Sequence, residues 1–225
     1  MVYSKKFRGF TLAEVLITLV IVGVIASMTI PTLMNNTNKQ EYVSRLKKTY
    51  SIMAQATNRI IAEEGNPRGD IGGWATSTEA VYNMYKKHLS LSKDCGSGAD
   101  CFEKMTSDNN FYKKLNGNSY YSASFTTNDQ FYKVITADGA QILFAFNYPD
   151  CAYTTFNANN VCNEMRIDIN GEKKPNQWGK DLFIFVLKED GLHPVGCDDN
   201  SSDCHKSGNG YTCACKVLKE GAINY

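Results

Sequence analysis

The chain has 225 residues, with 24 Lys and Arg against 23 Asp and Glu and a formal net charge of +1, so no global excess of positive charge argues for a nucleic-acid-binding protein. That length accommodates one well-buried domain plus an appendage, and the composition, 43% hydrophobic and 21% charged, excludes a disordered polymer. Eight cysteines, all beyond residue 94, are an even number in a region of short loops and turns, which points to disulfides and an oxidising, non-cytoplasmic setting.

Three positive charges, Lys5, Lys6 and Arg8, lie in the first nine residues, and without them the balance is 21 minus 23, or −2. Behind them, Phe10 to Ile30 is a run of 21 residues with a single charge, Glu14. At 1.5 Å per residue it is long enough to cross a hydrocarbon core about 30 Å thick. The stretch "SMTIPTLMNN" that follows offers no good small-x-small cleavage site, so the run reads as an anchor rather than a cleaved secretory signal. Basic residues ahead of it keep its start in the cytoplasm and send the remainder out. Glu14 is out of place in such a helix. Either the carboxylate has a partner that this chain does not supply by itself, or it meets the helix dipole and snorkels toward the headgroups.

In "NKQEYVSRLKKTYSIMAQATNRIIAEEGNP" the apolar residues Tyr42, Val43, Leu46, Tyr50, Met53, Ile60 and Ile61 recur at steps of three and four, which predicts an amphipathic helix. Gly65 and Pro67 stop it near Glu64. One helix from Phe10 to Glu64 would be about 80 Å long, half suited to lipid and half to packing on a domain. Pro31, at the junction, removes a backbone hydrogen bond and is expected to bend or loosen the helix.

The segment "GFTLAEVLITLVIVGVIA" resembles the class III signal sequence of type IV pilins and of the pseudopilins of type II secretion: a short basic leader, Gly at its end, Phe next, and Glu four residues after the Phe. The resemblance implies that a prepilin peptidase cuts between Gly9 and Phe10 and that the new amino terminus of Phe10 is N-methylated. It further implies that Glu14 neutralises the methylated amine of a neighbouring subunit inside a filament. Pro31, 21 residues after Phe10, matches a proline that type IV pilins commonly carry and favours the pilus side. The close match covers about the first thirty residues.

Beyond Glu64 the exported part reads as mixed α and β. "TSTEAVYNMYKKHLSL" places Thr76 and Glu79 as a capping box ahead of a short helix with Val81, Tyr82, Tyr85 and Leu89 at helical intervals. "CFEKMTSDNNFYKKLNG" is expected to add a further helical turn or two. "QFYKVITADGAQILFAFNY" reads as a hairpin around Asp138 and Gly139, "EMRIDING" and "DLFIFVLKEDG" as two more strands, and "YTCACKVLKEGAINY" as a terminal strand. The fold class is therefore α+β, a long amino-terminal helix on an antiparallel sheet of four or five strands. "ADGAQILF", "DINGEKKPNQWGKDLFIFVL" and "GYTCACKV" are similar, more loosely, to the heads of a branch of pilin-like proteins.

Cys95 and Cys101, and Cys151 and Cys162, are spaced to close short loops and read as disulfides. Cys197, Cys204, Cys213 and Cys215, with His205, could form a zinc site, but an exported setting and the absence of tight two-residue spacing favour disulfides. On a strand Cys213 and Cys215 would face the same side, too close to bond to each other comfortably, so two crossing links are expected with the pairing left open. Asp168, Asn170 and Glu172 alternate around a Gly, with Asn176 and Asp181 further on, which is oxygen-rich enough to raise calcium. The twelve-residue spacing with a closing Glu is absent, and ordinary turn chemistry is the preferred reading. His88, His193 and His205 are scattered singly, no nucleophile elbow or phosphate loop occurs, and no enzyme or cofactor is indicated.

The chain thus divides into a basic leader (1–9), a transmembrane and assembly helix (10–30), an amphipathic helix (31–64) and an exported, disulfide-rich head (65–225). The resemblance implies a filament subunit whose partners are other pilins, the prepilin peptidase, and the inner-membrane assembly platform and ATPase. The alternative is a minor or competence-type pilin whose head binds a ligand such as DNA or a surface, or a type II secretion pseudopilin. Basic and aromatic residues in "YNMYKKH" and "FYKKLNG" hint at such binding, and solvated helix faces explain them as well.

Overall fold

The computed structural model describes residues 9–98, 101–102, 111–120, 130–197 and 203–225. The leader charges Lys5, Lys6 and Arg8, and most of the helical turns expected after Cys101, lie outside the described residues. The chain forms two compact units, one ending at Lys39 and the other running from Gln40 to Tyr225. Helix α1 (Leu12–Glu64) contributes to both, with Pro31 inside it. It ends as the sequence signals. Gly65, at φ 83°, donates its N–H to the Ile61 carbonyl at 2.9 Å, a left-handed stop that a residue without Cβ adopts freely.

In the second unit α1 buries one face, made by Val43, Leu46, Thr49, Met53, Ala56, Thr57 and Ile60. The rows repeat at three and four residues because 3.6 residues complete a turn. Helix α2 (Thr78–His88) packs beside it through Val81, Tyr82 and Tyr85. Its cap is Ser77, whose hydroxyl accepts the Ala80 N–H at 3.1 Å, so the expected Thr76–Glu79 box is displaced by one residue. Thr78 instead spends its hydroxyl on the Ala145 carbonyl at 2.8 Å, a tertiary bond that sequence spacing does not reveal.

Six strands form one antiparallel sheet in the order β1 (Leu91–Gly96), β2 (Tyr132–Thr136), β3 (Gln141–Asn147), β6 (Asn163–Asp168), β7 (Leu182–Lys188) and β8 (Gly191–Pro194). The small hairpin β4 (Tyr153–Thr155) and β5 (Ala158–Val161) lies within the loop closed by Cys151 and Cys162. The sheet is larger than the four or five strands expected. The β2–β3 turn is the Asp138–Gly139 hairpin read from sequence, with Gly139 at φ 88°.

Both faces of the sheet are covered. Ile142, Phe144, Met165, Ile167, Phe183 and Phe185 belong to the core shared with α1 and α2, and the Tyr50 ring stacks on Phe185 at 5.6 Å. Their alternating neighbours Leu143, Ala145, Leu182, Ile184 and Val186 join a second core with Phe131 and Trp178. That explains why "LFIFVL" in β7 is continuously apolar: a strand buried on both sides has no solvent face to alternate with. At the edges, β1 shifts register twice, between Leu91 and Lys93 and between Asp94 and Gly96, and β8 is four residues long and closes on Pro194.

The expected terminal strand in "YTCACKVLKEGAINY" is a helix, α3 (Cys213–Glu220). The alternation in "TCAC" imitates a strand, but Cys213, Ala214 and Val217 lie at helical spacing in the core, and Gly221, at φ 64°, caps the helix by donating to the Val217 carbonyl at 2.9 Å. The pairs are Cys197 with Cys215 and Cys204 with Cys213, nested rather than crossing. Two positions apart on a helix, the two side chains leave on nearly opposite faces and reach different partners. Cys95 pairs with Cys101 and Cys151 with Cys162, leaving no free cysteine among the described residues.

Candidate functional site

The amino-terminal unit presents apolar surface with nothing packed on it. Leu12–Pro31 has a mean hydropathy of 2.3 and no part of it is buried, and among the described residues it is a helix long and apolar enough to cross a membrane. Phe10 is 89% exposed, and Leu16, Ile17, Leu19, Val20 and Val22 are exposed as well. In water each would be unfavourable to leave uncovered, and a contiguous apolar patch of this extent marks a lipid or protein contact.

At its head, Thr11 and Glu14 form a reciprocal cap. The Glu14 N–H donates to Thr11 Oγ1 at 3.2 Å, and the Thr11 N–H and hydroxyl both donate to Glu14 Oε2 at 2.8 Å. This is the Thr-x-x-Glu capping box, legible in "TLAE" and missed beside the larger question of the charge. Glu14 therefore has local partners, all of them neutral, and its charge has no opposite charge among them. The helix begins two residues after Phe10, so Gly9 and Phe10 lie ahead of the first turn.

In the head, the structure brings Asp168 and Asp181 together at the end of β6 and β7 and leaves Glu172 exposed. Asp181 accepts the N–H groups of Asn176 at 2.8 Å and Gln177 at 2.6 Å, and the Ile169 N–H donates to its carbonyl at 2.9 Å, which closes the long "DINGEKKPNQWGKD" loop. Asp168 Oδ1 accepts the Asn170 N–H at 3.1 Å. Burial pushes the Asp168 carboxyl well above the usual range, and the Asp181 charge adds to this. Burial also raises Asp181, to about 6, against the N–H bonds that favour its charge. The run is a turn, as its Asn-Gly and Pro-Asn steps predict, and it also buries two carboxylates.

The remaining candidates resolve into structure. Of the aromatic residues in "YNMYKKH" and "FYKKLNG", Tyr82, Tyr85 and Tyr112 are buried and Phe111 is half-buried, and Lys86 is bound to Asp94. Arg166, buried on β6, pairs with Glu164 at 2.7 Å and donates to the Tyr120 hydroxyl at 3.0 Å. His88, His193 and His205 meet Glu63, Asp190 and Ser207 respectively.

An apolar amino-terminal helix with a Gly-Phe-x-x-x-Glu head stands on a chain of α+β, pilin-like layout, and residues 4–30 match the prokaryotic N-terminal methylation motif. Residues 32–213 match the family described as "Family of unknown function (DUF6613)", and the chain belongs to that family. It is also similar to the type II secretion system core protein G of Escherichia coli (strain K12), 50% identical over 38 residues, which is 17% of this chain and 26% of that protein. The matched part is thus about a quarter of the relative's length. No solved structure matches.

Proposed function

We propose that the chain is a structural subunit of a type IV pilus-like or pseudopilus filament. A prepilin peptidase removes residues 1–9 by cleavage after Gly9, the new Phe10 amine is methylated, and subunits polymerise through Phe10–Ile30. The head, residues 65–225, carried on the second half of α1, stands outside the cytoplasm. What carries this reading is Glu14: a carboxylate with only neutral local partners at the top of an unburied apolar helix, matched by a methylation-motif family. A neighbour's Phe10 amine is the cation that would complete it inside a filament, and identical or related subunits each bring one. The assembly platform and the ATPase are the remaining expected partners. Nothing in this mechanism asks the head for chemistry, and its role is to be displayed.

The test separates insertion from assembly. Glu14→Ala should insert in the membrane at least as well as wild type, since a charge leaves the span, and should be missing from sheared filaments. Gly9→Val should keep the precursor uncut, read as intact mass. Wild-type filament levels of Glu14→Ala, or a mature mass starting at Phe10 in Gly9→Val, would overturn the proposal.

A further inference from the structure

We propose that Tyr148 and Tyr153 form an oxidative modification site, at which a peroxide-class oxidant joins the two phenol rings by one carbon–carbon bond. This goes beyond the filament reading and stands without it.

The two rings stack with centroids 3.9 Å apart and planes 11° from parallel. Tyr153 is 47% exposed and Tyr148 is half-buried, so a small oxidant reaches the pair. The local chain holds them in place. Tyr148 directly follows β3, and its N–H donates to the Cys162 carbonyl at 2.7 Å. Its own carbonyl accepts the Cys151 N–H at 2.9 Å across a turn through Pro149 and Asp150, whose Oδ1 accepts the Ala152 N–H at 3.2 Å. Proline and aspartate suit such a turn, the one by its fixed φ and the other by bonding the backbone two residues on. The Cys151–Cys162 disulfide and the pairing of Tyr153 with Val161 then fix where β4 returns. Tyr153 acts on the Tyr148 hydroxyl by its charge and by a hydrogen bond, so the two hydroxyls stand at the same end of the stack.

Burial raises the Tyr148 hydroxyl above its ordinary range, and Tyr153 and Glu164 add to this, so at neutral pH it is protonated and gives up proton and electron together. Loss of one hydrogen atom from each hydroxyl leaves two phenoxyl radicals, with spin on the carbons ortho to oxygen. With the hydroxyls side by side, those carbons meet across the stack. Their unpaired electrons form the new bond, and each ring becomes aromatic again by passing its ortho hydrogen to its oxygen. The pair loses two electrons and two protons, and one molecule of hydrogen peroxide takes up both and becomes two waters. Other tyrosine contacts lack this geometry. Tyr82 and Tyr132 are tilted by 31° with Tyr82 buried, and Tyr120 and Tyr211 meet edge to face at 6.0 Å. The product closes the turn around Cys151 a second time, by a link that thiol reductants do not open.

The experiment treats the full chain, in detergent micelles, with hydrogen peroxide and a haem peptide. After reduction and alkylation, an endoproteinase that cuts before aspartate separates Tyr148 from Tyr153 at Asp150, giving fragments 138–149 and 150–167 from untreated protein. From treated protein the two should emerge as one joined fragment that lacks two hydrogens and fluoresces as dityrosine. Tyr153→Phe keeps a ring in the stack and removes one hydroxyl, so the joined fragment should vanish while the circular dichroism melt stays that of wild type. Tyr148→Phe should do the same, a second reading should one variant fold poorly. Oxidation of reduced wild type in urea should lower the yield at least about tenfold, because the fixed orientation is lost. Separate fragments from oxidised wild type would overturn the proposal. So would dityrosine formed only between chains, an unchanged yield in urea, or a joined fragment that persists in Tyr153→Phe.

Discussion

Thr57 on α1 and Tyr85 on α2 share a buried hydroxyl pair, and the direction of that bond sets a testable asymmetry. Neither residue has exposed surface, and the Thr57 hydroxyl donates to the Met53 carbonyl at 2.8 Å. Its one proton is thereby used, so Tyr85 is the donor to Thr57 Oγ1. Tyr85→Phe removes a donor and leaves the Thr57 proton satisfied, a loss of about 1 kcal/mol. Thr57→Val keeps the shape but strands the tyrosine O–H among Trp74 and Phe144, a loss of about 2 to 3 kcal/mol. In the double variant no orphan remains, so it should be no less stable than Thr57→Val, and the cycle should return a coupling of about 1–2 kcal/mol. Thermal unfolding of the full chain in micelles, followed by circular dichroism, reads these as shifts at about 2–4 °C per kcal/mol. Additivity of the two single changes, or Thr57→Val costing no more than Tyr85→Phe, would refute the assignment.

Replacing Cys197 and Cys215 by Ser opens a link of sequence separation 18 and should cost about 3 kcal/mol in the chain-entropy model, measured by the same unfolding assay. Gly196→Ala meets a backbone at φ 94° and places Cβ 2.0 Å from the Thr212 carbonyl, so α3 should fail to dock and thiol labelling should find Cys197 and Cys215 free. Lys133 is buried with its Nζ donating to the Gly98 carbonyl at 3.0 Å, and burial lowers its pKa. A lysine lowered in the folded state adds stability as pH rises through that pKa toward the unfolded value. Lys133→Met should therefore be neutral or stabilising at pH 7 and should flatten the rise seen in wild type under alkaline titration.

What was legible in the sequence was whatever local chemistry decides. The face of α1, its stop at Gly65, the Asp138–Gly139 hairpin and the doubly buried β7 all follow from periodicity and turn residues. The strands β4, β5 and β8 carry Asn, Thr, Gly and Pro in runs of three or four, too short for a period to register. In α3 the Cys-Ala-Cys alternation outweighed Gly221, the helix-stop signal eight residues on. Asp168, Asn170 and Asp181 were visible as an oxygen-rich run, but Gln141 was not. It faces Asp168 only across the β3–β6 register, and the burial of the two carboxylates is a property of the packed sheet.

The sheet's two rims carry a consequence for crowding. An unpaired strand edge is a template on which another chain can add itself. Here β1 is broken by two register slips, and β8 is short, ends in a proline, and is followed at once by Val195, whose carbonyl is already taken by the Cys215 N–H at 3.1 Å. A copy of the head arriving sideways finds no straight ladder to extend. Many heads held shoulder to shoulder can then stay separate folded bodies, because among the described residues neither flank offers runaway β-stacking a straight edge to start from.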